Sequence, residues 1–160
     1  MTNEKQGGGL RYPRLFTKEG TDVFDQFEYD YRTSVIRNPN GEIVFEMKNV
    51  EVPKQWSQIA TDILAQKYFR KAGVPQPDGS LGRETSVKQV AHRMAHCWKV
   101  WGERHDYFAS PDDARVFYEE LVYCILNQSC VPNSPQWFNT GLYESYGIKG
   151  KPQGHYYVDP

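Results

Sequence analysis

Residues 86–101 have the sequence SVKQVAHRMAHCWKVW, and this stretch decides the predicted fold class. Ser86 is followed three residues later by Gln89, the capping-box pattern in which each side chain accepts a hydrogen bond from the other residue's backbone N–H. Apolar residues then recur at helical spacing along one face: Val87, Val90, Ala91, Met94, Trp98 and Trp101. The pattern predicts an amphipathic helix over 86–104 that packs against a core by this face.

Two more helices are predicted, one on each side of the first. The earlier one spans 53–71 and begins at Pro53, because proline suits the first helical position; its apolar stripe is Trp56, Ile59, Ala60, Ile63 and Leu64. The later one spans 111–127 and follows Ser110, a good N-cap, with acidic residues in its first turn that favour the positive helix end. Its predicted core face comprises Phe117, Tyr118, Leu121 and Ile125.

A β-hairpin over 33–48 is predicted before these helices. The turn sequence Asn38-Pro39-Asn40-Gly41 suits a tight reversal, and Ile43, Phe45 and Met47 alternate with Glu42, Val44 and Glu46. The expected fold class is therefore mainly α with an amino-terminal β-hairpin. We expect residues 1–31 to form a disordered start (1–9) and an aromatic arm, 32–128 the hairpin and three-helix domain with a loop at 75–82, and 129–160 a loop entering a further domain.

Composition excludes several classes of protein. The chain has 19 basic and 20 acidic residues, so no basic surplus favours nucleic-acid binding. No apolar run is long enough to span a membrane, and the first thirty residues lack the apolar segment of a signal peptide. Three cysteines are too few for a secreted disulfide framework. We therefore expect a cytoplasmic protein that binds neither membrane nor nucleic acid.

The cysteines and histidines give weak signals for chemistry. Cys97 and Cys124 flank the apolar stripes of their helices, which is typical of small core residues, whereas Cys130 lies in the following loop and should be the most exposed. His92 and His96 have the spacing of a helical zinc pair, and His105 and Glu103 are candidate further ligands. Because both histidines lie opposite the apolar stripe, we favour a solvated polar face and predict no metal site.

Residues 132–141, with the sequence PNSPQWFNTG, are more informative. Pro132 and Pro135 restrict the backbone on both sides of Asn133 and Ser134. Such a constrained bend, with a hydroxyl, a carboxamide and nearby backbone N–H groups, can hold a phosphate or a sugar hydroxyl without net charge. The alternative is a simple turn that caps a short helix starting at Pro135.

Residues 131–142 (VPNSPQWFNTGL) resemble a segment of the vitamin B12-dependent, class II ribonucleotide reductases. Residues 56–75, 83–87 and 154–160 are similar to other segments of the same family, in the same order, so the resemblance covers about 24–160. It implies an oxidoreductase that reduces ribonucleotides to 2′-deoxyribonucleotides for DNA synthesis, with a cysteine thiyl radical generated through adenosylcobalamin and its cobalt. It also implies a mainly helical amino-terminal region that leads into a ten-stranded α/β barrel, which this chain lacks.

The resemblance assigns few functional residues. Ser134 stands at the position whose hydroxyl and neighbouring backbone contact the substrate nucleotide, and Asn133 and Asn139 are further substrate-binding candidates without an assigned role. Cys97, Cys124 and Cys130 match none of the family's three catalytic cysteines, so no catalytic residue is assigned and we expect the chain to be inactive alone, as a split or truncated gene product or an isolated fragment.

The partners implied by the resemblance are a ribonucleotide, adenosylcobalamin and the remaining carboxy-terminal part of the reductase, with a homodimer as one arrangement of the full-length enzyme. Two alternatives remain at this point. One is a stand-alone module of the same ancestry that binds a nucleotide or a partner chain. The other is a small metal-binding protein that uses His92 and His96.

Overall fold

The computed structural model describes residues 8–149. In chain order they form a short 3-10 helix (Val23–Gln26), β1 (Tyr29–Arg37), β2 (Ile43–Pro53), α1 (Gln58–Ile63) continued by a π-helical turn (Leu64–Tyr68), β3 (Val74–Pro75), β4 (Leu81–Gly82), α2 (Val87–Arg104), α3 (Pro111–Leu126), α4 (Ser134–Asn139) and α5 (Leu142–Tyr146). Helices therefore dominate the described part of the chain, and an antiparallel hairpin precedes them, as the sequence pattern predicted.

The hairpin is longer than the predicted 33–48. β1 pairs antiparallel with β2 from Tyr29 opposite Pro53 to Arg37 opposite Ile43, so β1 begins inside the segment predicted as an aromatic arm. The register shifts near Asn49, whose φ of 57° is left-handed. The extra residue changes the phase of the strand. Met47 before the shift and Val50 after it are therefore both buried, whereas Ile43 is exposed.

The predicted helix over 53–71 is wrong at both ends. Pro53 is the last residue of β2, and the helix begins only after Ser57, whose side chain accepts a hydrogen bond from the N–H of Ala60. Near its end the backbone widens into a π turn, with the N–H of Phe69 donating to Leu64 O at 2.9 Å. The π turn shifts the helical phase, so Leu64 and Phe69 are buried while Ile59, from the predicted stripe, is 72% exposed.

The helices predicted over 86–104 and 111–127 are confirmed to within one residue. Ser86 and Gln89 form the expected capping box, and the Ser110 hydroxyl accepts a hydrogen bond from the N–H of Asp113 at 3.1 Å. The two helices pack against each other and contribute most of the core together with β2. Within the predicted stripe of α2, Trp98 is half-buried and Trp101 is 47% exposed. Of the predicted core face of α3, Ile125 is buried, whereas Phe117, Tyr118 and Leu121 are half-buried.

The two segments predicted as loops, and the predicted aromatic arm, contain more structure than expected. Residues 75–82 are closed by the two-residue strands β3 and β4, which pair antiparallel. The predicted loop at 129–160 contains α4 and α5 within its described part. The predicted arm pairs its Leu10 with Phe108 and stacks the Tyr12 ring edge-on against Phe108 and Phe117. Most of the segment predicted as disordered (1–9) and the whole family-like segment 154–160 lie outside the described residues.

Candidate functional site

Ser134 lies at the start of α4, in a bend that the surrounding residues hold in place. Asn133 is the N-cap in an extended conformation (φ −68°, ψ 162°), and its carbonyl accepts a hydrogen bond from the N–H of Gln136 at 3.0 Å. The indole N–H of Trp137 donates to the carbonyl of Pro132 at 2.7 Å. Asn133 and Ser134 both remain exposed. The short helix of the alternative interpretation is therefore present, and it leaves the Ser134 hydroxyl accessible.

Tyr68 is the residue of this site that sequence reasoning missed. Its hydroxyl oxygen lies 3.0 Å from the hydroxyl oxygen of Ser134. Its ring stacks on Trp137, with 5.5 Å between ring centroids, and contacts Phe138. Tyr68 belongs to the π turn that follows α1, and the predicted helix there gave no reason to connect it with residue 134. The only sequence signal for a functional role of Tyr68 was its position inside segment 56–75, which resembles the family.

A groove of about 460 Å³ lies beside these two hydroxyl groups. Its walls include Trp56, Ile63, Tyr68, Gln128, Val131 and Trp137, and Asn133 and Ser134 also line it. The walls are mainly apolar and include a few polar side chains (Tyr68, Gln128, Asn133 and Ser134), which is the composition typical of small-molecule sites. The groove can accommodate a ligand with one apolar or aromatic part and one part that accepts hydrogen bonds.

The other end of α4 is bound to α2 through Arg93, which also forms a buried ion pair with Glu84. Arg93 and Glu84 are both 0% exposed, and Arg93 Nε lies 2.7 Å from Glu84 Oε1. The Arg93 guanidinium also donates to the carbonyls of Trp137 and Thr140. Glu84 in turn accepts a hydrogen bond from the Tyr146 hydroxyl at 2.9 Å. Burial and this carboxylate raise the pKa of Tyr146 well above its usual value, so the phenol stays protonated and can serve as a donor.

Asn139, the third substrate-binding candidate, is the last residue of α4 and is half-buried. Its side-chain Oδ1 is buried without a hydrogen-bond partner among residues 8–149. The structure therefore brings Asn133 and Ser134 together at one end of α4 and leaves Asn139 at the opposite end.

The histidine pair does not lie on a solvated face, contrary to the prediction. The rings of His92 and His96 stack 5.2 Å apart, and His92 Nδ1 lies 2.8 Å from the hydroxyl of Tyr118 on α3. The sequence pattern of α2 alone could not show that α3 covers this side of the helix. Burial and the neighbouring His96 lower the pKa of His92. Within the described range, no group of three or more His, Cys, Asp or Glu side chains could hold a metal ion.

The three cysteines are sheltered thiols. Cys97 is buried, as its position beside the apolar stripe suggested. Cys130, expected to be the most exposed of the three, is half-buried like Cys124. It packs against the core, and its N–H donates to the carbonyl of Cys124 at 3.2 Å. Burial raises the pKa of both Cys124 and Cys130, and raises that of Cys97 to about 12. Since the thiolate is the reactive form, none of these groups is suited to act as a nucleophile.

Comparisons with known proteins agree on one family. The family model of class II vitamin B12-dependent ribonucleotide reductase matches residues 30–128. The chain is 44% identical to the vitamin B12-dependent ribonucleotide reductase of Bradyrhizobium diazoefficiens, over 94% of the chain and 14% of that protein. The corresponding protein of Agrobacterium fabrum is 42% identical over 94% of the chain and 14% of its own length. The corresponding protein of Streptomyces coelicolor is 42% identical over 86% of the chain and 14% of its own length.

The chain thus spans about 14% of the length of the curated relatives that it matches. The family match includes the hairpin, α1, α2 and α3, and the longer alignments extend over most of the chain. Across residues 8–149, no helix combines the length and the apolar character needed to cross a membrane.

Proposed function

Because the chain belongs to the class II vitamin B12-dependent ribonucleotide reductase family and corresponds to an amino-terminal portion of its members, we propose that it serves an enzyme that reduces ribonucleotides to 2′-deoxyribonucleotides for DNA synthesis. In this proposal the chain supplies part of the substrate site, and the radical chemistry is carried by the remaining part of the reductase. The division of roles is supported by the sequence resemblance, in which Cys97, Cys124 and Cys130 match none of the family's three catalytic cysteines. The chain alone is then inactive.

Ser134 is the residue that we propose to hold the substrate ribonucleotide. The observation that carries this proposal is the exposed Ser134 hydroxyl beside the 460 Å³ groove, paired with Tyr68 at 3.0 Å. A hydroxyl has one donor and two acceptor positions. If the Tyr68 phenol donates to Ser134, the serine proton remains available to a phosphate or ribose oxygen of the substrate. Asn133 lies next to it and offers further donors.

The test is a pair of substitutions in the complete reductase. One hydrogen bond contributes about 0.5–1.5 kcal/mol, or about 1.5–3 kcal/mol when the acceptor is charged, so Ser134→Ala should raise the KM for the ribonucleotide roughly three- to a hundredfold. Ser134→Thr keeps the hydroxyl and should leave KM close to that of the unmodified enzyme. If alanine lowers the melting temperature and leaves KM unchanged, Ser134 is only part of a helix cap.

The cofactor named for the relatives is vitamin B12, and we propose its adenosyl form for the complete enzyme. The groove beside Ser134 and a second one of about 320 Å³ near Gly20 are at the small end of the range for drug-sized ligands. A corrin ring with its side chains is larger than such a ligand. Neither of these two grooves is therefore large enough to enclose the corrin ring, and we assign residues 8–149 no step in cofactor chemistry.

The partner that we propose is the remaining carboxy-terminal part of the reductase, as the ten-stranded α/β barrel expected for the family. Apolar side chains stand exposed beside the groove, among them Ile63 and Val131, the latter 70% exposed. Unpaired apolar surface of this kind is typical of protein interfaces. We further propose a cytoplasmic enzyme that can assemble as a homodimer. Co-expression of the missing part should restore nucleotide reduction, whereas this chain alone with adenosylcobalamin and a dithiol should form no deoxynucleotide.

A further inference from the structure

We propose that Arg93 is a positioning residue for Ser134, because its buried guanidinium fixes α4 on α2 and α4 carries Ser134 as its first residue. The inference rests on the substrate-binding role proposed for Ser134. Arg93 does not itself reach the groove, and its effect on the substrate would pass through the orientation of α4.

The contacts of Arg93 lie at the end of α4 opposite Ser134. Its guanidinium donates to the carbonyl of Trp137 and, at 2.8 Å, to that of Thr140. The last carbonyls of a helix have no partner within the helix and must be satisfied elsewhere. A helix of six residues is also far too short to be stable alone. The direction of α4, and with it the position of Ser134, is therefore set by tertiary contacts, which comprise these hydrogen bonds and the packing of Trp137 in the core.

Glu84 allows this guanidinium to be buried. Both side chains are 0% exposed, and Glu84 contacts Arg93 through both carboxylate oxygens, at 2.7 and 3.5 Å. The same carboxylate accepts hydrogen bonds from the N–H of Arg70 at 2.7 Å and from the hydroxyl of Tyr146 in α5. One buried charge pair thus joins α2, α4, α5 and the segment that follows the π turn.

The geometry requires arginine. The guanidinium is a planar fork with five N–H donors, and here it serves a carboxylate and two carbonyls in different directions. Lysine can keep the charge beside Glu84, but its ammonium is a compact point charge that cannot hold the same three acceptors in the same geometry. Arg93→Lys therefore keeps the positive charge beside Glu84 but loses the hydrogen bonds from residue 93 to the carbonyls of α4.

Gly141 gives an independent observation at the same place. A Cβ built on Gly141 would lie 1.9 Å from the carbonyl oxygen of Arg93, so the chain after α4 touches the α2 backbone directly. Gly141 also has a φ of +79°, which favours glycine. Side chain and backbone at residue 93 therefore both fix the position of the segment that carries α4.

The experiment compares four forms of the complete reductase: Arg93→Lys, Ser134→Ala, the double variant and Arg14→Lys. Arg14 is a matched control, since it joins the amino-terminal segment to Glu119 and Thr17 and, within residues 8–149, forms no ion pair or hydrogen bond with α4. The first readout is amide hydrogen exchange of peptides that cover residues 134–140, measured by mass spectrometry. The second is the KM for the ribonucleotide.

We expect Arg93→Lys to speed exchange in residues 134–140 at least about tenfold, as loss of one to two hydrogen bonds would, with no such change for Arg14→Lys. KM should rise about three- to thirtyfold. In the Ser134→Ala background the lysine substitution should change KM by less than about twofold, because coupled residues are not additive.

Unchanged exchange over residues 134–140 would overturn the inference, whatever the kinetics show. The inference would also be overturned if the rise in KM of the double variant equalled the product of the rises in the two single variants, since Arg93 would then act independently of Ser134. If Ser134→Ala alone leaves KM unchanged, it is the substrate-binding proposal that fails, and the exchange data still decide whether Arg93 holds α4.

Should Arg93→Lys not fold, the pair Glu84→Gln with Arg93→Met replaces it. This double substitution removes both charges and leaves no buried charge unpaired, and the expected exchange and KM changes are the same.

Discussion

The phenol oxygen of Tyr68 lies 3.0 Å from the hydroxyl oxygen of Ser134, although 66 positions separate the two residues in sequence. Tyr68 follows α1 through the π turn, and Ser134 begins α4. Two segments that separately resemble the reductase family thus meet at one pair of hydroxyl groups. The substrate site proposed here is therefore a property of the fold and not of the proline-rich motif alone.

Tyr68→Phe should weaken substrate binding without unfolding the protein. The substitution removes one hydrogen bond to Ser134 but keeps the ring that stacks on Trp137. A neutral hydrogen bond contributes about 0.5–1.5 kcal/mol, so KM in the complete reductase should rise about two- to twelvefold. Tyr31→Phe is the control, since the Tyr31 hydroxyl bonds to Glu51 on the hairpin. Equal KM values for both variants would contradict the role given to Tyr68.

Gly141→Ala should strongly destabilise the protein, in contrast to Gly147→Ala. Both glycines have a left-handed φ, +79° and +66°, but only at Gly141 would a Cβ meet another atom, Arg93 O at 1.9 Å. Backbone strain alone costs about 1–2 kcal/mol, and overpacking adds about 1–3 kcal/mol. Urea unfolding should show a loss of about 2–5 kcal/mol for Gly141→Ala and about 1–2 kcal/mol for Gly147→Ala. Equal losses would mean that the close approach to α2 has no energetic effect.

His92 should make the folded protein sensitive to mild acid. Burial and His96 lower the pKa of His92 from the usual 6.5, so the unfolded chain takes up this proton at a higher pH than the folded one. The contribution of neutral His92 to the free energy of unfolding is therefore complete above pH 6.5. It is lost as the pH falls from 6.5 through the lowered pKa, with a slope of at most about 1.4 kcal/mol per pH unit.

The measurement is the free energy of unfolding in urea at pH 7.5 and 5.5. His92→Gln, which can still bond to the Tyr118 hydroxyl, should reduce the difference between the two pH values. His96→Gln should reduce it less, because it removes only the second of the two causes. The same pH dependence in His92→Gln and in the unmodified protein would show that other groups are responsible.

The thiols should resist alkylation in the folded state. The pKa of Cys97 is raised to about 12, so only about one molecule in ten thousand carries the thiolate at pH 8. Iodoacetamide at this pH should leave Cys97 unmodified during a time in which the urea-unfolded chain reacts completely, with Cys124 and Cys130 slow but measurable. Mass spectrometry of the digested protein gives each rate. Fast labelling of Cys97 under native conditions would contradict its burial in α2.

Local signals were enough to predict α2 and α3. Ser86 with Gln89, and Ser110 with Pro111, are complete start signals next to sustained helical periodicity, and both helices begin where these residues predict. Pro53 was misleading because the same residue type also ends strands, and only the pairing of Pro53 with Tyr29 distinguishes the two. The π turn at Leu64–Tyr68 has no clear sequence signal, so the exposure of Ile59 could not be foreseen.

The candidate site was predictable only in part. The prolines around Ser134 indicated a constrained, accessible bend, and the structure has one. Tyr68 and Arg93 could not be connected with it, because both contacts depend on tertiary packing between residues more than 40 positions apart. Arg93 sits among the apolar residues of α2 and, by sequence alone, is an ordinary charged position on a helix. Its burial becomes understandable only with Glu84 beside it.

The pairing of residues 10–12 with residues 107–113 has a consequence for synthesis. Leu10 exchanges backbone hydrogen bonds with Tyr107 and Ala109, and the N–H of Tyr12 donates to Asp113, 101 residues away. At about 5–20 residues per second, a ribosome needs roughly 5–20 seconds between making the two partners. Throughout that interval the aromatic side chains around Tyr12 lack these partners and are open to chaperones and to association with other nascent chains. Docking of this segment therefore has to wait until residues 107–113 have been made.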